Sequence, residues 1–528
     1  MKKQITLLLT ILLLISVSAT AQPQADTSVK PVAENGEKKM TEAFQLLVNE
    51  GLKLLNRGRN YEAAIIFHKI ITEGGENSAN VQDAQYYIGQ ALYKLKLYVS
   101  AYQYFSQITQ VGPGHRHYDD SLEWFLKIHR ELPGDMNSLY SLSTFPENMY
   151  PHQYKDDLYY YVGQYHYTQG NLTQAIKALS KVSRRTPLLF IKSTFLKGVS
   201  YVRKRQIEGD PKDMLKAAQS FAHALSFLSG SNLKGPKIEK ITDMLLITMA
   251  RVFYSNGEYK KAMKYYNSIS QNSSYWLDSL FELSWNYYQM RQYPHALGNL
   301  ETLRSPYFSQ QYYPEAFVLK AVILFMNCHY ADAITEINRS YKEYWDVLQE
   351  LRRVLKKYKE PAPFYRYLAR ISTHGAKYSI KVKRIFNAAL ADKKVRRNFE
   401  YVMRVNSEYK KLRALSSDPV AKRLVQILLP DIVAFRELST EKAGRLARDR
   451  MKRVYKDLRH ILAEALKVRF ECNNAMAGKL SGKLKSVQVK SAKKVFKLDN
   501  EHRRWPFDGE YWKDELGSYY YPIRSYCK

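Results

Sequence analysis

Few side chains in this sequence have the types and spacing for chemistry. His115 and His117 bracket Arg116 directly after Gly112-Pro113-Gly114, and two imidazoles in one loop are the start of a metal site. No third ligand is evident, so the segment reads as a surface loop. Cys328-His329 falls at a turn and reads as packing. Cys472 and Cys527 have the option of pairing in an oxidising compartment, which would tie the C-terminus to the preceding helix. The acid pairs Asp119-Asp120 and Asp156-Asp157 fall near helix starts, where the macrodipole favours carboxylates. The patterns H-E-x-x-H, G-x-S-x-G, G-x-G-x-x-G and the P-loop do not occur. The expectation is a protein with no catalytic residues, no metal and no cofactor: not an enzyme.

Recognition has richer candidates. Tyr93, Tyr167, Tyr254 and Tyr288 recur at one register of a helical pattern. Tyr86, Tyr160 and Phe281 precede that register by two turns, and Asp83, Asp157, Asp278 and Glu315 lie a further turn back. Gln90, Gln164 and Trp285 fall between them. Such spacing puts them on one helix face. That face makes an aromatic, mildly acidic groove suited to an extended or helical peptide with basic or apolar side chains. The competing reading is that the Tyr residues one turn on merely pack between neighbouring units.

A second surface is basic. Residues 345–504 hold 41 Lys plus Arg against 16 Asp plus Glu, which is +25 of the chain's +32. Arg445, Arg448, Lys452, Lys456 and Arg459 form a stripe on one helix face. Lys381, Lys383, Arg384, Lys393, Lys394, Arg396 and Arg397 form a second cluster. Acidic proteins, anionic lipid headgroups and wall polyanions suit such charge. A solvated helix face, or docking on the chain's own acidic side chains, suits it equally.

These candidates need elements to position them, and a repeat supplies them. A small residue is followed by a large one three on, by Ala nine further, by a large one four on, and by a small or aliphatic one three beyond. Copies are Gly51-Leu54-Ala63-Phe67-Ile70, Gly89-Leu92-Ala101-Phe105-Ile108 and Gly163-His166-Ala175-Leu179-Val182. Ala250-Phe253-Ala262-Tyr266-Ile269, Ser284-Tyr287-Ala296-Leu300-Leu303 and Ala321-Leu324-Ala333-Ile337-Ser340 follow. A stretched copy carries Gly198, Tyr201, Ala217, Phe221 and Ala224. The pattern describes two antiparallel helices crossing at the small residue, with turns at Gly170-Asn171 and Asn256-Gly257. One unit cannot bury its own apolar face, so units stack.

These residues are similar to the tetratricopeptide repeat family, with its small–aromatic–Ala–aromatic signature. The resemblance covers about 40–345 and implies an all-α solenoid of seven to eight helical hairpins. It also implies a protein-binding scaffold with the groove on each unit's first helix. Kinks are expected near 133–151, where a degenerate unit has a helix at 118–132 and then a Pro-bearing loop, and near 230–236. Exported proteins of this family serve bacterial envelopes in outer-membrane assembly, secretion, wall coordination or motility.

The remaining organisation follows from composition. Residues 1–21 read as a signal peptide, with Lys2 and Lys3, the apolar run Ile5–Val17 and Ala19-Thr20-Ala21 before a cut after Ala21. No Cys near that cut would carry a lipid. The expected location is the periplasm, peripheral to the outer membrane at most, and export makes nucleic acid an unsuitable partner. Residues 22–39 read as a flexible lead-in. Residues 346–472 read as a basic, partly coiled-coil-like helical region. Its seam of Ala447, Met451, Val454, Leu458, Ile461, Ala465 and Val468 packs on a partner near 399–412. Residues 473–504 read as a basic linker. The tail 505–528, with Trp505, Phe507, Tyr511, Trp512, Tyr519, Tyr520, Tyr521 and Tyr526, either packs back on the body or serves as a docking peptide. The 528 residues include 43 Tyr, and 45% are hydrophobic, which excludes a wholly disordered chain.

Overall fold

The computed structural model describes residues 32–75, 78–132, 136–373, 379–390, 392–480 and 509–527. The expected signal peptide, Trp505, Phe507 and 481–504 lie outside the described residues, as does the Lys381 side chain. Among the described residues, eight helical hairpins follow one another. They pair α1 (Val32–Asn56) with α2 (Asn60–Glu73), α3 (Ala79–Lys94) with α4 (Tyr98–Val111), and α5 (Tyr118–Glu131) with α6 (Met136–Thr144). Next come α7 (Lys155–Gln169) with α8 (Leu172–Leu179), α9 (Pro187–Glu208) with α10 (Lys212–Ser229), and α11 (Pro236–Ser255) with α12 (Tyr259–Asn267). The last two are α13 (Trp276–Gln289) with α14 (Tyr293–Leu303), and α15 (Pro314–Met326) with α16 (Tyr330–Lys357). Then α17 (Pro361–Thr373), α18 (Ile380–Leu390), α19 (Lys393–Leu415) and α20 (Ala421–Leu480) complete an all-α fold, with no strand among the described residues.

The repeat works as its residues imply. A Cβ on Gly89 would lie 2.7 Å from two ring atoms of Phe105, and one on Gly51 would lie 2.6 Å from the Phe67 ring. Gly163 meets Leu179 and Gly198 meets Phe221 in the same way. Hydrogen alone at the crossing lets the helices approach, and the partner's large side chain fills the space beside it. Phe67, Phe105 and Phe221 are fully buried. The turns reverse through left-handed backbone at Gly170 (φ +86°) and Gly257 (φ +77°). Lys96, Arg291 and Cys328 hold the same conformation at their turns.

Several expected boundaries are corrected. The lead-in 22–39 is helical from Val32, where helix-forming Glu and Lys residues continue α1 backwards. The loop at 133–151 contains α6, because Leu139 and Leu142 have a core to enter. The linker from 473 is helical to Leu480, since buried Cys472 anchors the turn before it. The charge change at 345 falls inside the unbroken α16.

The basic region closes the chain on itself. Val405 and Leu412 of α19 join Leu424, Leu428 and Ile432 of α20 in one core with Phe67 and Phe105. Further along α20, Ala443, Ala447, Met451, Val454 and Leu458 pack with Val347 and Leu351 of α16 and with Phe364 and Leu368 of α17. The helix therefore runs from the first two hairpins to the last. The expected seam is buried at Ala447, Met451, Val454, Leu458 and Ala465, while Leu462 takes the place of Ile461. Helix α19 packs on this seam as expected, through Val395, Phe399 and Val402, but α16 and α17 cover it as well, so its partner is not α19 alone. Phe399 and Val402 meet this cluster, but Val405 and Leu412 turn to the first hairpins.

Glu408 fastens α19 to α4. Its carboxylate accepts from Val99 N and Ser100 N at 3.0 Å and from Ser100 Oγ at 2.8 Å, satisfying donors that the helix start leaves open. Burial raises this carboxyl above its ordinary 4.5, and the bonds from Val99 and Ser100 pull it back. Glu408→Ala strands these donors and will cost about 3 kcal/mol in urea unfolding. A loss under about 1 kcal/mol would mean that the contact does not hold the two helices.

The three cysteines resolve differently from the option raised by sequence. Cys527 pairs with Cys328, 199 residues away, and Cys472 is free and buried. The Cys472–Cys527 pairing is therefore corrected. Cys472 faces Ala321, Leu324, Ala333, Ile337 and Ala465, and burial pushes its thiol up to about 11. The tail instead reaches the turn between α15 and α16, where Cys328 stands.

Candidate functional site

First helices of neighbouring hairpins touch at four places: α1 with α3, α3 with α5, α7 with α9, and α13 with α15. The expected groove residues lie along this wall, most of them half-buried. Their partners are largely neighbouring hairpins. Tyr86 stacks on His117, with ring centroids 4.3 Å apart, and accepts from Trp124 Nε1 at 3.1 Å. Tyr93 meets Tyr98 and Trp124 edge-on. Asp83 is buried and accepts from Arg116 Nη1 at 3.0 Å. Asp157 accepts from Arg130 at 2.7 Å. Tyr167 lies under the Arg203 guanidinium. Phe281 packs on Tyr313, whose hydroxyl donates to Asp278 at 2.7 Å. Tyr254 meets Tyr259, Trp285 meets Tyr288, and Tyr288 meets Tyr293. Gln90 and Gln164 are half-buried on the same wall.

The C-terminal helices reach this wall at two places. Burial first, then the neighbouring Tyr161, raises the Tyr160 hydroxyl to about 12, against the opposing charge of Arg397 on α19. Desolvation first, then Asp457 of α20, raises the carboxyl of Glu315.

The loop itself is at the surface, with Pro113, Gly114 and Arg116 exposed, but its two histidines turn inward, which corrects the expectation for them. His115 is 2% exposed. Its Nε2 lies 3.1 Å from Gln85 Oε1, and its Nδ1 accepts from His117 N at 3.1 Å, so the neutral ring is fully used. His117 Nε2 lies 2.6 Å from Asp83 Oδ1. The pair locks the segment before α5 onto α3. Among the described residues, no group of three or more His, Cys, Asp or Glu is arranged to hold a metal ion.

The basic stripe divides. Arg448 donates to the carbonyls of Tyr358 and Leu355 at 3.1 and 3.4 Å, so it caps the end of α16 and is half-buried there. Arg384 donates to Ser309 O and pairs with Glu343 at 3.0 Å. Arg445 and Lys452 are exposed beside Glu441 and Asp449 of their own helix. Lys456, Arg459, Lys393, Lys394 and Arg396 are exposed. Sequence reasoning missed the capping by Glu408 and Arg448. Both join residues far apart in the chain, and neither lies in a motif that marks its partner.

No family model matches this sequence, and no curated protein matches it. Among solved structures the chain is similar to the apo form of RapI, at 12% identity and a TM-score of 0.36 over 65% of this chain and 98% of that one. It is also similar to a tetratricopeptide repeat protein from Parabacteroides merdae, at 10% identity and a TM-score of 0.24 over 57% and 93% of the two chains. A third is the apo quorum sensor NprR from B. thuringiensis, at 13% identity and a TM-score of 0.24 over 74% and 99%. The hairpins themselves define the fold class: an all-α, tetratricopeptide-like solenoid followed by four further helices.

Proposed function

We propose that this chain is an exported, non-enzymatic scaffold that binds other proteins within a bacterial cell envelope. The observation that carries the reading is the first-helix wall. In the units led by α3, α7, α11 and α13, it presents half-buried Tyr, Trp and Gln side chains: Gln90, Tyr93, Gln164, Tyr167, Tyr254, Trp285 and Tyr288. Aromatic and amide groups that remain partly accessible suit recognition of a polypeptide. The apolar run before Ala19-Thr20-Ala21 supports export, and the process served is outer-membrane assembly, secretion, wall coordination or motility. The partners are other envelope proteins.

Crosslinking and pull-down from the native envelope tests this. Tyr167, Trp285 and Tyr288 changed together to Ala will reduce partner recovery at least tenfold with helicity intact; unchanged recovery removes the wall as the binding surface. A second reading rests on the exposed Lys456, Arg459, Lys393, Lys394 and Arg396. It has the basic helices bind anionic lipid surfaces or wall polyanions. Salt distinguishes the two, because polyanion binding weakens steeply with ionic strength and aromatic capture does so only slightly.

A further inference from the structure

Residues 509–527 lie on α14 and on the turn that joins α15 to α16, and the fit is specific on both sides. On the acceptor side, a Cβ on Gly298 would overlap the carbonyl of Tyr519. A hydrogen at that position is what lets an extended backbone lie on the helix. On the segment's side, a Cβ on Gly517 would lie 2.8 Å from the Trp276 ring.

Most polar contacts use the segment's main chain. Gly517 N donates to Thr302 Oγ1 at 3.0 Å, and Leu516 O accepts from Gln271 Nε2 at 3.1 Å. Tyr521 N donates to Pro294 O and Tyr526 N to Asn327 O. Arg524 O accepts from His329 Nε2 at 2.7 Å. Tyr511 adds a side-chain bond, its hydroxyl donating to Glu301 Oε1 at 3.1 Å. This is peptide recognition by backbone pairing with a few side-chain anchors, here Tyr511, Leu516, Tyr519 and Ile523.

Burial alone holds the segment weakly. Leu516 is its one buried large apolar residue, whereas Trp512, Tyr520, Tyr521 and Tyr526 are each at least 40% exposed. The bond between Cys328 and Cys527 supplies the rest by keeping the segment's end at the acceptor turn. The acceptor surface is made for this sequence, and every copy of the chain carries that sequence.

We propose that α14 and the α15–α16 turn form a peptide-acceptor site for the segment 509–527. The chain's own copy occupies it at rest under the Cys328–Cys527 bond, and on reduction the site receives the same segment of a second copy. The exchange needs an external thiol, either a small thiol or a thiol oxidoreductase. Its thiolate attacks one sulfur of the bond, forms a mixed disulfide and expels the other as a thiolate. A second external thiolate then releases the first sulfur. Two electrons pass to the cysteines, and one external disulfide is formed.

The test uses the full chain carrying Cys527→Ser, in which Cys328 is free and the resident segment is untethered. A synthetic 509–527 peptide that keeps its Cys is added in a glutathione buffer. Mass spectrometry measures the peptide joined to Cys328, with a peptide of the same composition in scrambled order as the control. The native order will be captured at least fivefold more than the scrambled one. Gly298→Val, and separately Thr302→Val, will each bring capture towards the scrambled level while circular dichroism stays helical. Capture indifferent to residue order, or undiminished in both variants, overturns the proposal.

Discussion

Phe105→Ala will lower the unfolding free energy by about 3–5 kcal/mol. Phe105 is fully buried. Its ring fills the space that Gly89 leaves open in the same hairpin, stacks on Trp124 at 5.7 Å, and meets Tyr86 at 6.0 Å and Phe125 at 6.2 Å. It therefore joins the second hairpin to the third. Rings from separate helices cannot collapse into the gap, so the cavity persists and the cost stays near the upper range. The reverse change, Gly89→Ala, overpacks the same crossing and will cost about 1–3 kcal/mol. Urea denaturation at neutral pH measures both. Stability within about 1 kcal/mol of the parent for Phe105→Ala would show that the hairpins do not pack this way.

Acidification will destabilise the fold between pH 6.5 and pH 4, by about 2–3 kcal/mol for each of two histidines. Burial holds His115 and His129 down to about 4 from an ordinary 6.5. The sign follows from proton counting. Above pH 6.5 both states carry neutral rings and the full stability is present. Below it the unfolded chain takes up protons that the folded chain refuses, so stability falls until the pH reaches the folded value. Around His115, protonation would also set a second N–H against the N–H of His117. Glu408 acts in the opposite direction. Its carboxyl is raised, so the folded chain gains relative to the unfolded one as pH falls towards 4.5. The double variant His115→Gln, His129→Asn will show a flatter profile than the parent in denaturant titrations at pH 7, 5.5 and 4.5. An unchanged slope would assign the acid sensitivity to other groups.

The hairpins were legible from sequence because each is a local object. A small residue, a large one and an Ala at fixed spacing constrain a single helical crossing, as Gly51 with Phe67 and Gly163 with Leu179 do. The turn at Gly170 is local in the same sense. The wall residues were legible as a register, since a helix face follows from spacing alone. Their present partners were not: Asp83 with Arg116 and His117 depends on how the next hairpin stacks.

What the tertiary structure decided is long-range. Periodicity marked the buried edge of α20, yet it could not say that α16 and α17 cover it while α2 and α4 receive its start. Charge marked Arg448 and Arg384 as surface residues, but the carbonyls at the end of α16 drew in the first, and Ser309 O with the Glu343 carboxylate drew in the second. Three cysteines allow three pairings, and the sequence pointed to Cys472 with Cys527. The path of the tail over Gly298 to the turn at Cys328 selects one. Local spacing sets which face of a helix is apolar, while the identity of what covers that face comes from the sum of all hairpin stackings, which no single segment encodes.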